Sequence, residues 1–193
     1  MPIVQMQNKE LPPNRIQALR FAMWIAMVSI VMLFGAFTSA YLVRKPVGNW
    51  YEFKLPIQFL YSTIIIVLSS LSLELSYKNF KNNVSSQYMI YLTISFLLGI
   101  AFLISQAMAF QYMMGIGLFI DLNVSVSFLY VIAGMHGLHV LGGIIAIVIS
   151  MLVAFTTTLQ VTEFKILKFD LLRQYWHFIG VLWIYLLVFL ILQ

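Results

Sequence analysis

The chain has 193 residues and a formal net charge of +5; 62% of its residues are hydrophobic and 9% charged, for a mean hydropathy of +0.97. A water-soluble domain carries about a quarter of its residues as charges, so this chain cannot cover itself in water and the bilayer is part of its solvent. With no Cys there are no disulfides, thiolate metal ligands or Cys nucleophiles. The basic residues sit in separate short loops rather than one patch, which argues for membrane topology and against nucleic acid as a partner.

The first twenty residues are polar, end in Arg15 and Arg20, and read as an N-terminal segment outside the membrane. From Phe21 to Val43 there is no charge, enough to cross roughly 30 Å of hydrocarbon at about 1.5 Å per residue. The run is too long for a signal-peptide core and lacks a small-residue cleavage site, so it reads as a retained helix. Arg44, Lys45, Pro46 and Gly48 end it, and Trp50 and Tyr51 suit an interfacial aromatic belt. A second helix is expected over about 56–77, opened by Pro56 and followed by Lys78 and Lys81. A third is expected over 88–112, giving way to Gly115, Gly117 and Asp121. The fourth, over 124–155, is longer than a span requires and so tilts or projects. The fifth is expected over 174–192. There is no internal repeat, low-complexity segment or long linker, and residues 21–193 form one five-helix, all-α membrane bundle.

Five spans put the N-terminus, the second-to-third loop and the fourth-to-fifth loop on one side. That side carries Lys9, Arg15, Arg20, Lys78, Lys81, Lys165, Lys168 and Arg173, against Arg44, Lys45 and Lys54 on the other. The excess predicts a cytoplasmic N-terminus and an external C-terminus.

Ionisable residues inside a span are costly, so each is a functional hypothesis. His136 and His139 on the fourth helix, His177 on the fifth and Glu74 near the end of the second qualify. A haem held by two axial histidines is the sharp reading. His136 and His139 are three apart on one face and cannot clamp opposite sides of a ring. His177, about three residues into its expected helix, would lie roughly 9 Å from the depth of His139. The alternative is neutral histidines hydrogen-bonded between helices. Glu74, a turn before Lys78, is expected to snorkel to the interface with that lysine. Gly35 and Ser39, Ala36 and Ala40, Ala133 and Gly137, and Gly142 and Ala146 are four-residue pairs that would let helices approach closely. No nucleophile–base pair, phosphate loop or carboxylate dyad is present, so no catalytic, metal or cofactor-binding residue is assigned.

Met135-His136-Gly137-Leu138-His139-Val140-Leu141-Gly142-Gly143, followed by Tyr175-Trp176-His177-Phe178 with Trp183 beyond, resembles subunit III of the haem–copper oxidases. Leu97-Leu98-Gly99-Ile100-Ala101-Phe102 with Gln106, and Met32-Leu33-Phe34-Gly35 with Tyr41-Leu42, are similar to the family's text on two further helices. The resemblance covers the chain from about Arg20 onward, and five spans match the shorter bacterial form.

The resemblance implies a subunit without redox centres, placed beside a catalytic subunit I that holds haems and copper, a subunit II and phospholipids, in a complex reducing oxygen to water and pumping protons. It also implies a bacterial inner-membrane location. The motif residues His136, Gly137, Leu138, His139, Trp176, His177 and Phe178 are then structural, and Arg173, Trp176 and His177 are candidates for a lipid headgroup. Ile30, Ala109 and Gly180 stand where the family commonly has carboxylates, so proton roles do not carry over to those positions. A quinol oxidase subunit, or the accessory protein of nitric oxide reductase, is a close alternative. A stand-alone membrane haem protein is a rival of another class. A transporter is disfavoured by the lack of inverted repeats.

Overall fold

The computed structural model describes residues 13–156 and 162–193. Five helices carry it: α1 Pro13–Arg44, α2 Gln58–Lys81, α3 Ser85–Gly115, α4 Val124–Thr156 and α5 Glu163–Leu192, with one 3-10 turn at Lys45–Val47. All five are long and apolar enough to cross a membrane, and among the described residues there is no strand. In hydrocarbon each main-chain polar group has to bond within its own segment, and helices meet that demand without help from neighbours.

The helices outrun the apolar stretches that announce them. Of the expected N-terminal segment 1–20, residues 1–12 lie outside the described residues, and 13–20 are already helical. The largest difference is α5, which begins at Glu163 rather than near 174. Thr162 caps it, extended at φ −102° and ψ 152°, and its hydroxyl accepts from the Lys165 N–H at 3.4 Å. Lys165, Lys168, Asp170 and Arg173 end the hydrophobic run without ending the helix. Charge marks where lipid stops, and none of these residues breaks a helix as Gly or Pro would. These four therefore stand on α5, and the connection to α4 is correspondingly short. Between α2 and α3 the chain turns within three residues, with Asn83 taking the left-handed conformation (φ 59°) that Asn tolerates.

Helices α2, α3, α4 and α5 close a four-membered ring, each touching the next, and α1 lies outside it against α4 and α5. The main core comes from the ring. A smaller cluster of Phe34, Ile132, Leu182 and Leu186 fastens α1 to it. The α2–α3 seam is polar. Ser69 and Ser95 hydroxyls each donate to the other's carbonyl (2.9 and 3.2 Å), Ser72 donates to the Tyr91 carbonyl (2.8 Å) and Ser76 to that of Tyr88 (3.0 Å). Gln106 Nε2 donates to the Ser62 hydroxyl at 2.9 Å in the same seam.

Trp176 of α5 is fully buried at the centre of the ring. Its indole N–H donates to the Ser69 hydroxyl of α2 at 3.2 Å. Its ring edge runs across Gly99 of α3 and Gly143 of α4. A Cβ at Gly143 would stand 2.8 Å from the indole, and one at Gly99 3.0 Å. These two glycines, not the four-residue pairs singled out by spacing, make the close approaches. Gly35, Ser39, Ala36 and Ala40 all lie exposed on α1, and a Cβ at Gly35 or Gly137 would meet nothing within 4 Å.

Gly143→Val should therefore destabilise the bundle by about 1–3 kcal/mol, the usual range for overpacking a tight core, whereas Gly35→Val should leave it unchanged. Unfolding of the two variants in mixed micelles of increasing SDS content checks the pair. Equal behaviour of the two would mean that the indole does not need the glycine.

Candidate functional site

The motif residues divide into a dry interior group and a polar group. His136 is fully buried, its ring packed by Trp183 (centroids 5.0 Å apart), Phe102 (5.9 Å) and Phe34 (6.2 Å). Neither of its ring nitrogens has a hydrogen-bond partner. His139 places Nδ1 2.7 Å from the Met135 carbonyl of its own helix, and its own carbonyl accepts from the Tyr175 hydroxyl at 3.0 Å. The expectation of histidines bonded between helices thus fails for these two. The reason is local: aromatic rings surround His136, and a carbonyl one turn back satisfies His139. Leu138 is 60% exposed, Gly137 is half-buried, and Phe178 packs against the cluster holding α1.

Of the three histidines, His177 is the one whose ring nitrogen bonds to another helix. Its Nε2 lies 3.2 Å from Glu74 Oε2 on α2. Arg173 Nη1 donates to both oxygens of the same carboxylate, at 3.2 and 2.9 Å, and Nη2 donates to Asp170 Oδ1 at 2.8 Å. Gln174 Nε2 donates to the other Asp170 oxygen at 2.9 Å. Beneath the guanidinium lies the Tyr77 ring, 4.4 Å from Cζ to centroid. The expected Glu74–Lys78 pair is replaced by Glu74–Arg173. Arg173 is carried across from α5, and its guanidinium serves two carboxylates at once, Nη1 holding Glu74 and Nη2 holding Asp170. The sequence hid this partner because α5 starts eleven residues earlier than its apolar run.

The early start of α5 also removes the depth argument used against a two-histidine haem site, since His177 lies well inside the helix. The separation rests instead on direction: His177 faces Glu74 of α2, while His136 faces Phe34, Phe102 and Trp183. Among the described residues no cluster of three or more His, Asp or Glu is arranged to hold a metal ion.

Of the headgroup candidates, Trp176 is corrected outright. An indole with no exposure, bonded to Ser69 in the ring's interior, offers no rim to a headgroup. Arg173 and His177 do line an open groove of about 720 Å³ between α1 and α5, with Arg20 and Trp24 of α1 opposite and Met27, Val31 and Phe178 deeper. Where carboxylates were missed in the sequence, the structure is apolar or tight. Ile30 packs on the α1 cluster, and Ala109 is fully buried. A Cβ at Gly180 would already come within 3.2 Å of the Ser70 hydroxyl.

The family model described as cytochrome c oxidase subunit III matches residues 14–192. The chain belongs to this family. Among its relatives, the cytochrome bo(3) ubiquinol oxidase subunit 3 of Buchnera aphidicola subsp. Schizaphis graminum is 30% identical over 183 residues, covering 90% of this chain and 93% of the relative. The cytochrome c oxidase subunit 3 of Chondrus crispus is 27% identical over 89% of this chain and 65% of its own length. A probable cytochrome c oxidase subunit 3 of Mycobacterium tuberculosis is 34% identical over 91 residues, 47% of this chain and 44% of its own. The chain is thus subunit III of a respiratory terminal oxidase and a multi-pass membrane protein. Within that family fold, Trp176 serves as the packing hub and His177 as the α5–α2 link.

Arg173→Met leaves Glu74 and Asp170 without their shared cation. It should cost on the order of 1–3 kcal/mol, the penalty for stranding partly buried polar groups, while Lys78→Ala should cost almost nothing. His136→Phe should be neutral or stabilising, since it removes two unpaired nitrogens from a dry site and keeps the ring. SDS-titration midpoints of the three variants test both statements. A loss above about 2 kcal/mol for His136→Phe would show that the imidazole has a partner.

Proposed function

We propose that this chain is the non-catalytic subunit III of a proton-pumping oxidase in a bacterial inner membrane. It sits beside a haem–copper subunit I and a subunit II, and all redox centres lie in those partners. The observation that carries the reading is the family match along the whole described bundle, together with the roles of its histidines. His136, His139 and His177 are each taken up by packing or by a bond to protein. The chain then contributes by covering a flank of the catalytic subunit, fixing lipid there and limiting water near the partner's proton entrance. The N-terminus is cytoplasmic and the C-terminus external, as the eight-against-three distribution of Lys and Arg supports.

For lipid, the groove between α1 and α5 replaces the earlier candidate trio. Arg20 and the exposed Trp24 meet the headgroup and His177 lines the wall, while Arg173, held by two carboxylates, shapes the site rather than supplying free charge. The motifs place the chain in an oxidase of the cytochrome c oxidase type and do not themselves distinguish cytochrome c from quinol as the electron donor. A second reading, quinol, is favoured by the bo(3) ubiquinol oxidase relatives, which match over 85–90% of this chain.

Purification in mild detergent should bring down a large haem-bearing subunit, and a stable solitary monomer from native membranes would count against the proposal. A complex lacking this chain should retain initial oxygen reduction and lose activity faster during sustained turnover. Immediate loss of all oxygen chemistry in an otherwise assembled complex would defeat it. Oxygen uptake with reduced cytochrome c and with quinol, assayed side by side, decides the donor. A reporter fused after Gln193 should be active outside the cytoplasm.

A further inference from the structure

A separate cavity of about 300 Å³ opens at the end of the bundle where α2 and α4 stop and α3 and α5 start. Three of its lining rings, Phe80, Tyr88 and Phe169, are buried and pack on one another with centroids 5.0–5.5 Å apart. Phe164, Lys165 and Lys168 line it from the first turns of α5. The Lys168 ammonium lies 4.2 Å from the Phe164 ring centroid. Lys165 and Lys168, three apart, share one side of the helix, and two positions separate Glu163 from Lys165, so that carboxylate faces elsewhere. Among the described residues no acidic one lines the cavity. Asp170, the next one along α5, is held by Arg173 and Gln174.

The chemistry is that of an amphiphile site: an apolar hollow open at the flank of the bundle, walled by exposed Ile149 and Val153 as well as by the buried rings, and two ammonium groups where the apolar part of α5 gives way to charge. Size limits the occupant. An apolar cavity of roughly 150 Å³ takes one benzene ring, so this chamber takes a segment of one hydrocarbon chain rather than two. The charge selects an anionic head over a zwitterionic one, because among the described lining residues the mouth offers two ammonium groups and no carboxylate, so a choline or ethanolamine cation meets like charge. We propose that the cavity holds one acyl chain of an anionic amphiphile, whose carboxylate or phosphate is met by Lys165 and Lys168. The site shares no lining residue with the groove between α1 and α5, and rests only on the chain being embedded in a membrane.

The test uses the intact oxidase complex in phosphatidylcholine nanodiscs, with doxyl-labelled stearate, phosphatidylglycerol or phosphatidylcholine added separately. Electron spin resonance reads the immobilised label, and the wild-type complex is compared with variants. Wild type should immobilise an extra equivalent of stearate or phosphatidylglycerol, and none of phosphatidylcholine. Lys165→Ala and Lys168→Ala should each weaken that binding about fivefold, the effect of one lysine near a lipid surface, and Ala154→Phe should abolish it by filling the chamber. Binding of stearate alone identifies a free fatty acid, and binding of phosphatidylglycerol alone a phospholipid. Equal immobilisation of phosphatidylcholine, or binding indifferent to both lysine changes, overturns the proposal. If Ala154→Phe blocks assembly, the lysine variants decide alone.

Discussion

The bundle is organised around one indole. Trp176 projects from α5 into a ring whose other three members each yield something to it: Gly99 and Gly143 give up side-chain volume, and Ser69 gives an acceptor. In lipid there is little hydrophobic gain when helices associate, because acyl chains are as apolar as leucine. Shape fit and buried hydrogen bonds must then set the register. A large flat ring with one polar atom, inserted against two glycine backbones, fixes axial position and rotation at once. Its acceptor Ser69 also donates to Ser95, so the position of α5 is tied to the α2–α3 seam.

That seam shows the same constraint. Ser62, Ser69, Ser72 and Ser76 are fully or nearly fully buried along one side of α2, and all four bond across to α3, Ser62 as the acceptor of Gln106 Nε2. Each bond is worth only about 0.6 kcal/mol on average in a membrane. As a row they act as a ruler, because a slip by one residue leaves every hydroxyl facing carbon. The Glu74–Arg173–Asp170 network performs a comparable task between α2 and α5 nearer the end, using charge where the dielectric is higher.

The existence of five helices was legible because an unbroken apolar run of twenty residues has few other uses. The family was legible because paired motifs on two spans leave little room for coincidence. What could not be read was rotation about each helix axis. Four-residue spacing of small residues pointed to Gly35 and Ala36, which face outward, while Gly99 and Gly143 matter because of a tryptophan far away in sequence. Glu74 was assigned the lysine nearest in sequence because its true partner stands on a stretch taken for a loop. Trp176 was placed at the interface by the same error of helix start. The serines of α2 carried the one usable signal: hydroxyls recurring at a helical period in a span rich in Ile and Leu.

The position of α1 outside the ring has a consequence for the order of biogenesis. Of the five helices, α1 is translated before the others yet packs on α4 and α5, which follow it latest. Phe34 therefore cannot meet Ile132, Leu182 and Leu186 together until α5 has been made. Until then α1 has to stand by its own main-chain bonds. None of the contacts around Trp176 comes from α1, so the ring does not wait for α1, whereas α1 waits for the ring.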